Sequence, residues 1–432
     1  MTRIRTRRKI INIRAMKYTG FLCGAFSTKG DFVPTDGWNS VIASAEEMEI
    51  SSSFYYPEFV DFNYGANKNS ISRFIFPIGQ DIPVRVGRGV NEHNVNTFVD
   101  SVTLYQAPFG LTLFSIRIDL DCENNDVTAV TSKLRNVSSI GNDNTMFADV
   151  VLDPIMKVWL KYSPSAGKGN DVPRCYGRLV EHGNKLKLFQ IADICTSEWN
   201  STDTDKLIFE LGTLAPIGSY DPEKDFSPSR KYFDKTIEEN SISVFNNWKG
   251  LALFDSFTLL GHDITEWNKE NWIQSYFGMI YISELFIKFY LFRLNNDFRI
   301  NHERADKLLE QFDEFEYSCW FDHVSYNFLP RMIHRAMENS LEILPEKQRL
   351  YQMIAQQKDK REKNDDQRMN NLLFYLTLFT TFSMVWDASS LVNEMYPFET
   401  YIGSHIEGFR MVSYSLLLFV LVLIIITRFR KR

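Results

Sequence analysis

Apolar and polar residues change rhythm along this chain. Over residues 10–230 short apolar runs alternate with loops. Residues 111–120 (LTLFSIRIDL) alternate at the period of a strand, and 9–16, 185–194 and 206–211 predict further strands. Residues 71–86 carry Pro77 and Pro83, which confines them to an edge strand or a bulged hairpin. Residues 121–126 form a polar turn able to cap a helix from near Val127 to near Val137. Residues 251–260, closed by Gly261, predict one more strand or a short buried helix. The region is α+β, a natural place for a regulatory ligand.

After residue 268 the period becomes helical. Residues 268–294 predict a strongly apolar helix bearing Phe277, Ile280, Tyr281, Leu285, Phe286, Phe289 and Phe292. Glu284 and Lys288 stand mid-run at i and i+4, where they can pair on one face. The uncharged part is shorter than a bilayer requires, so the helix is expected to be buried or to face another subunit. Residues 304–344 predict two amphipathic helices broken near Pro330. Pro345 suits a helix start, and no Gly or Pro follows until Pro397. One helix over that distance would be about 70 Å long. Its stretch 356–368 (QQKDKREKNDDQR) is polar all round, as in a helix that links domains through charge pairs and water; a disordered tether is the alternative.

Two long apolar runs follow, 371–392 and 411–427, and both predict transmembrane helices. Lys358, Lys360, Arg361, Lys363 and Arg368 precede the first, and Arg428, Arg430, Lys431 and Arg432 follow the second. The connecting loop, 393–408, has Glu394, Glu399 and Glu407 and no Lys or Arg, so both termini are expected in the cytoplasm; Arg410 alone cuts against this. Unrolled at about 100° per residue, the first run sorts its side chains. Asn370, Leu373, Thr377, Thr380, Thr381, Met384, Asp387, Ala388 and Leu391 share one stripe, and Leu372, Tyr375, Phe379, Phe382 and Trp386 share the opposite one. Copies of this helix around a water-filled path would explain the polar stripe, as would packing of helix on helix with Asp387 near the outer interface.

The order of these elements resembles the CorA family of divalent-cation channels. Arg368-Met369-Asn370 followed by Leu376-Thr377 is similar to the way members enter their first span. The resemblance places Asn370, Leu373, Met384 and Asp387 on the pore, and the shared stripe of the helix adds Thr377, Thr380 and Leu391. The family's Gly-Met-Asn signature falls on Glu394-Met395-Tyr396, where only the Met is kept; with Glu399 and Glu407 these would form the outer mouth. The chain also looks similar to the divergent CorA-like effectors that accompany type III CRISPR systems.

The resemblance implies an α+β cytosolic domain (1–235), a helical part (236–344), a stalk helix (345–370), transmembrane helices at 371–392 and 409–427 joined by an outer loop (393–408), and a basic tail (428–432). It implies a multi-pass protein of the bacterial inner membrane: a homopentameric channel in contact with lipid, opened by a nucleotide second messenger of the SAM-AMP or cyclic-oligoadenylate type in antiviral defence. An ordinary transporter of magnesium or another divalent metal is the first alternative; a membrane-anchored scaffold or sensor is the second. Mg2+ or another divalent cation would then be the permeant or regulatory ion, with no cofactor.

Composition narrows this little. Hydrophobic residues make up 44% and aromatics 14%, enough for a large core, and the net charge of −6 gives no reason to expect nucleic acid as a partner. Cys23, Cys122, Cys175, Cys195 and Cys319 have no paired spacing, so neither a disulfide framework nor a zinc site is expected. Cys319 with His323, or His323 with His334, has helical spacing without further ligands. No apolar leader opens the chain, so export is not expected. The basic start (Arg3, Arg5, Arg7, Arg8, Lys9, Arg14) could hold phosphates or serve as a solvated arm. Residues 163–170 (SPSAGKGN) lack phosphate-loop spacing, and no catalytic motif appears, so enzymatic activity is not expected.

Overall fold

In the computed structural model, which describes residues 16–34, 37–87, 89–122, 124–164, 176–180, 185–200, 202–300 and 305–395, the alternating segments join in one nine-stranded sheet. In chain order the elements are β1 (Met16–Ser27), β2 (Asn39–Val41), α1 (Ala45–Phe54), α2 (Pro57–Tyr64), β3 (Ser72–Val86), β4 (His93–Ala107) and β5 (Leu111–Cys122). Then come α3 (Asn124–Leu134), α4 (Val137–Asp143), α5 (Thr145–Phe147), α6 (Asp153–Tyr162), β6 (Lys187–Ile194), α7 (Thr196–Trp199), α8 (Thr204–Thr213) and α9 (Arg230–Asn240). The hairpin strands β7 (Ser241–Ile242), β8 (Trp248–Ala252) and β9 (Ser256–His262) lead to α10 (Glu266–Asn271), a π-helical segment (Trp272–Tyr281) and α11 (Ile282–Ile300). Three helices close the described chain: α12 (Ala305–Cys319), α13 (Phe328–Ser340) and α14 (Ile343–Met395).

The strand order is β2-β3-β4-β5-β1-β6-β9-β8-β7, antiparallel except for the parallel pair β6 and β9. Alternation assigns the two faces. On β1, Met16, Tyr18, Leu22 and Phe26 join a core with α3, α4, α5, α6 and α8, while Phe21 points the other way and stacks on Phe277 of the π-helical segment at 3.9 Å. On β6, Leu188 and Ala192 take the first side and Phe189 the second, where it meets Phe257, Phe277 and Tyr281. The sheet therefore lies between a layer of helices and the π-helical segment with α11. β3 shifts register between Pro77 and Gln80, with Gly79 at φ 62 inside the bulge.

The expected strand at 206–211 is a helix, α8. Asp203 caps it by accepting from the Lys206 amide, and Leu207, Ile208 and Leu211 bury one helical face. Six apolar-rich residues fit either period, and the cap decides. Pro330 is the third residue of α13, where a missing amide costs nothing; the helices separate instead at 320–327. The expected first strand, 9–16, lies outside the described residues except for Met16, and the strand observed here, β1, runs on from that residue to Ser27 where none was expected.

The chain divides into two units, Met1–Gln352 and Met353–Arg432. The described part of the second unit belongs to α14, a single helix that covers both the expected stalk and the first expected span. Among the described residues, no helix is long and apolar enough to cross a membrane. This finding overturns the fold class with two transmembrane helices, the description as a membrane channel and the placement in a bacterial inner membrane. The physical reason lies in the run itself: Asn371, Thr377, Thr380, Thr381, Ser383, Asp387, Ser389 and Ser390 dilute its apolar residues. The expected second span at 409–427, the basic tail, the basic start and the loop from 165 lie outside the described residues.

Candidate functional site

A cleft of about 220 Å³ opens between α1, the π-helical segment and the start of α13. Its apolar surface comes from Ile50, Phe54, Tyr276, Met279, Phe328 and Leu329, and its polar edge from Glu47, Ser51, Asn271, Gln274 and Asn327. No Lys or Arg lines it. Each wall is fixed locally. Ser44 and Glu47 form a reciprocal capping box at the start of α1. The Tyr55 hydroxyl shares a hydrogen bond with Ser275, which ties α1 to the opposite wall. Within the π-helical turn, a Cβ added at Gly278 would stand 3.2 Å from the Ile273 carbonyl, and the Gly278 carbonyl accepts from Arg73 at 3.0 Å. Such wide turns are uncommon and recur at functional sites.

Both helical walls continue into a chain of buried ion pairs. One turn beyond the cleft, His334 Nε2 of α13 lies 2.8 Å from Glu284 Oε1 of α11, with both side chains buried. Burial opposes charge on the imidazole, but the Glu284 carboxylate outweighs it, by charge and hydrogen bond, and holds the His334 pKa above its ordinary value. Glu338, one turn along, is raised by burial and by Glu284. Further along α11, Lys288 Nζ stands 3.5 Å from Glu346 Oε1 in the first turn of α14, and Asn295 donates to the same carboxylate at 2.8 Å. Burial pulls the Lys288 pKa down, with Glu346 partly restoring it.

The base of α14 is held a second time by α12: Lys347 lies 2.7 Å from Glu316 and 3.6 Å over the Trp320 ring, while Tyr351 donates to Glu316 at 2.8 Å. On the sheet side, Lys187 and Lys288 both lie over the Phe254 ring, at 3.5 and 5.2 Å, and Lys187 and Arg135 share Asp255 at 2.9 and 3.0 Å. Glu284 and Lys288 thus do not pair with each other as their spacing predicts. Each is too deeply buried to be satisfied by one partner on its own helix surface, and each reaches a different helix.

The residues expected on a pore lie on α14. Asn370, Leu373, Thr377, Thr380, Met384 and Asp387 are exposed. The hydroxyls turn back onto their own helix: Thr377 donates to the Leu373 carbonyl at 2.7 Å, Thr380 to the Thr377 carbonyl at 3.0 Å, and Thr381 to the same carbonyl at 2.7 Å. Leu391, Glu394 and Met395 fall at the helix end, and Tyr396, Glu399 and Glu407 lie outside the described residues. The lining of the cleft is drawn wholly from residues 47–330. The cleft residues carry no motif, and the one signal of their neighbourhood was a pair of charges inside an apolar run. Among the described residues no group of three or more His, Cys, Asp or Glu is placed to hold a metal.

The chain matches no protein-family model, no curated protein and no solved structure.

Proposed function

We propose that this protein is a ligand-responsive sensor that takes a small nucleoside-like ligand in the cleft and signals through α14. One observation supports the reading above others. The helices that wall the cleft are the ones that His334–Glu284 joins to each other and Lys288–Glu346 joins to α14. A ligand that shifts one wall against the other must displace a buried ion pair, and such a pair cannot open without leaving a charge in the core.

The lining selects the ligand class. Aromatic and apolar side chains suit the faces of a planar ring, and the amides and Glu47 suit its polar edge or a ribose hydroxyl. The volume lies below the ~300 Å³ of drug-sized sites, so one nucleoside of a second messenger fits and its phosphates stay outside, away from a lining without cations. The output is proposed to be self-association. Leu372, Tyr375, Phe379, Phe382 and Trp386 repeat at heptad spacing on an exposed face of α14, and a second copy presents the same seam.

Fluorescence titration of the full chain with adenosine, AMP and a cyclic oligoadenylate tests the reading, beside Phe328→Ala and Asn271→Leu. Saturable binding, weakened about tenfold or more in both variants at unchanged Tm, is the expected result. Absence of binding, or binding indifferent to both substitutions, overturns it. Mass photometry with and without the bound compound then reads the association step.

A further inference from the structure

We infer that His334 and Glu284 form a proton-operated clamp between the two helical walls of the cleft, closed while the imidazole carries its proton and released when it loses it. The inference goes beyond the sensor reading and requires no ligand.

The geometry places the pair as a pin between the walls. α13 lines the cleft with Phe328, Leu329 and Pro330 and presents His334 one turn later. The π-helical segment lines it with Gln274, Ser275, Tyr276 and Met279 and presents Glu284 about one turn later. Both side chains are almost wholly buried, so solvent cannot substitute for either partner.

The other charges around the pair favour a response to protonation. Glu338 on α13 faces both groups, Arg335 opposes the imidazolium weakly, and Asp322 and Lys347 act on Glu338. The π-helical segment and β7, which also pack on α13, carry no charged residue. β8 has Lys249, engaged 2.8 Å from Asp205, and α11 has Lys288, engaged with Glu346.

The sign follows from the direction of the shift. Burial lowers the His334 pKa, but Glu284 and then Glu338 raise it by more, to above the ordinary value of about 6.5. The clamp is therefore fully present below about pH 6.5 and is lost as pH rises through the elevated folded value. Above that value the ring is neutral, the charge attraction that holds it to Glu284 is gone, and the join between α13 and α11 loosens.

Hydrogen exchange on the full chain, corrected for intrinsic rates, at about pH 6 and about pH 8.5 tests this. Protection over 327–340 and 271–284 is expected to fall at the higher pH relative to β1. His334→Gln keeps a hydrogen-bond donor but has no proton to lose, and the relative fall is expected to vanish. An equal change in all segments, or the same fall in His334→Gln, overturns the clamp. If His334→Gln does not fold, the imidazole C–H resonances of the native chain decide: a His334 signal titrating at or below about pH 6.5 overturns it, and one titrating above supports it.

Discussion

Residues 272–294 and the stretch of α14 from Leu372 to Trp386 are two aromatic-rich helical runs placed in opposite surroundings. In the first, Phe286 and Leu291 are fully buried and Trp272 is 6% exposed; in the second, Leu372 is 65% and Phe379 71% exposed. The polar residues differ in the same way. Glu284 and Lys288 find partners on α13 and α14, far along the chain, whereas Thr377, Thr380 and Thr381 are satisfied by the backbone of their own helix. A helix whose polar groups need distant partners is specified as part of a core. A helix that satisfies its own polar groups leaves its apolar side chains free of that demand, and on α14 they stand exposed. That contrast connects the sensor body to the proposed self-association of α14.

The contrast breaks most sharply at matched phenylalanines. Phe277→Ala removes the stack on Phe21 and leaves a void beneath the sheet, an expected loss of about 4 kcal/mol in urea denaturation. Phe379→Ala is expected to change the same measurement by no more than about 0.5 kcal/mol, while lowering the mass of any assembly.

The next largest effect belongs to the buried pair. His334→Leu leaves the Glu284 carboxyl without its partner in the core and is expected to cost about 3 kcal/mol; Glu284→Leu added to it should restore most of the loss, because both ionisable groups are then gone. A double variant no more stable than the single one would show that the pair is not coupled.

Lys347→Ala, which gives up Glu316 and the Trp320 ring at the base of α14, is expected to cost about 1–2 kcal/mol. Faster hydrogen exchange in 343–352 than in α11 would locate the loss. Thr381→Val stands last: its hydroxyl bonds to the Thr377 carbonyl of its own helix, so melting should shift by the equivalent of at most about 0.5 kcal/mol.

Part of the sheet was legible in the sequence. The alternation in 111–120 and 185–194 is that of β5 and β6, the prolines in 71–86 announce the bulge in β3, and the unbroken polar stretch 356–368 is helical within α14. The run 206–211 misled because six residues satisfy two periods, and the cap at Asp203 arbitrates only once the preceding turn is seen. The run 371–392 misled in another way. It sorts its residues as a membrane helix does, but its hydroxyls and Asp387 leave it too weakly apolar to cross one.

Local physics accounts for that division. Periodicity, capping and proline act within a few residues, so the sequence by itself determined β5, β6, the broken course of β3 and the unbroken helix of α14, while β1, β2, β4 and several short helices carried no pattern that set them apart. Which helix covers Phe21, which partner receives Glu284 and which residues meet in the cleft depend on chain segments dozens to hundreds of positions apart. No local pattern encodes those meetings. Only the packed sheet, with the π-helical segment laid across one face, brings Asn271 and Gln274 to Asn327 and sets His334 against a carboxylate in the core.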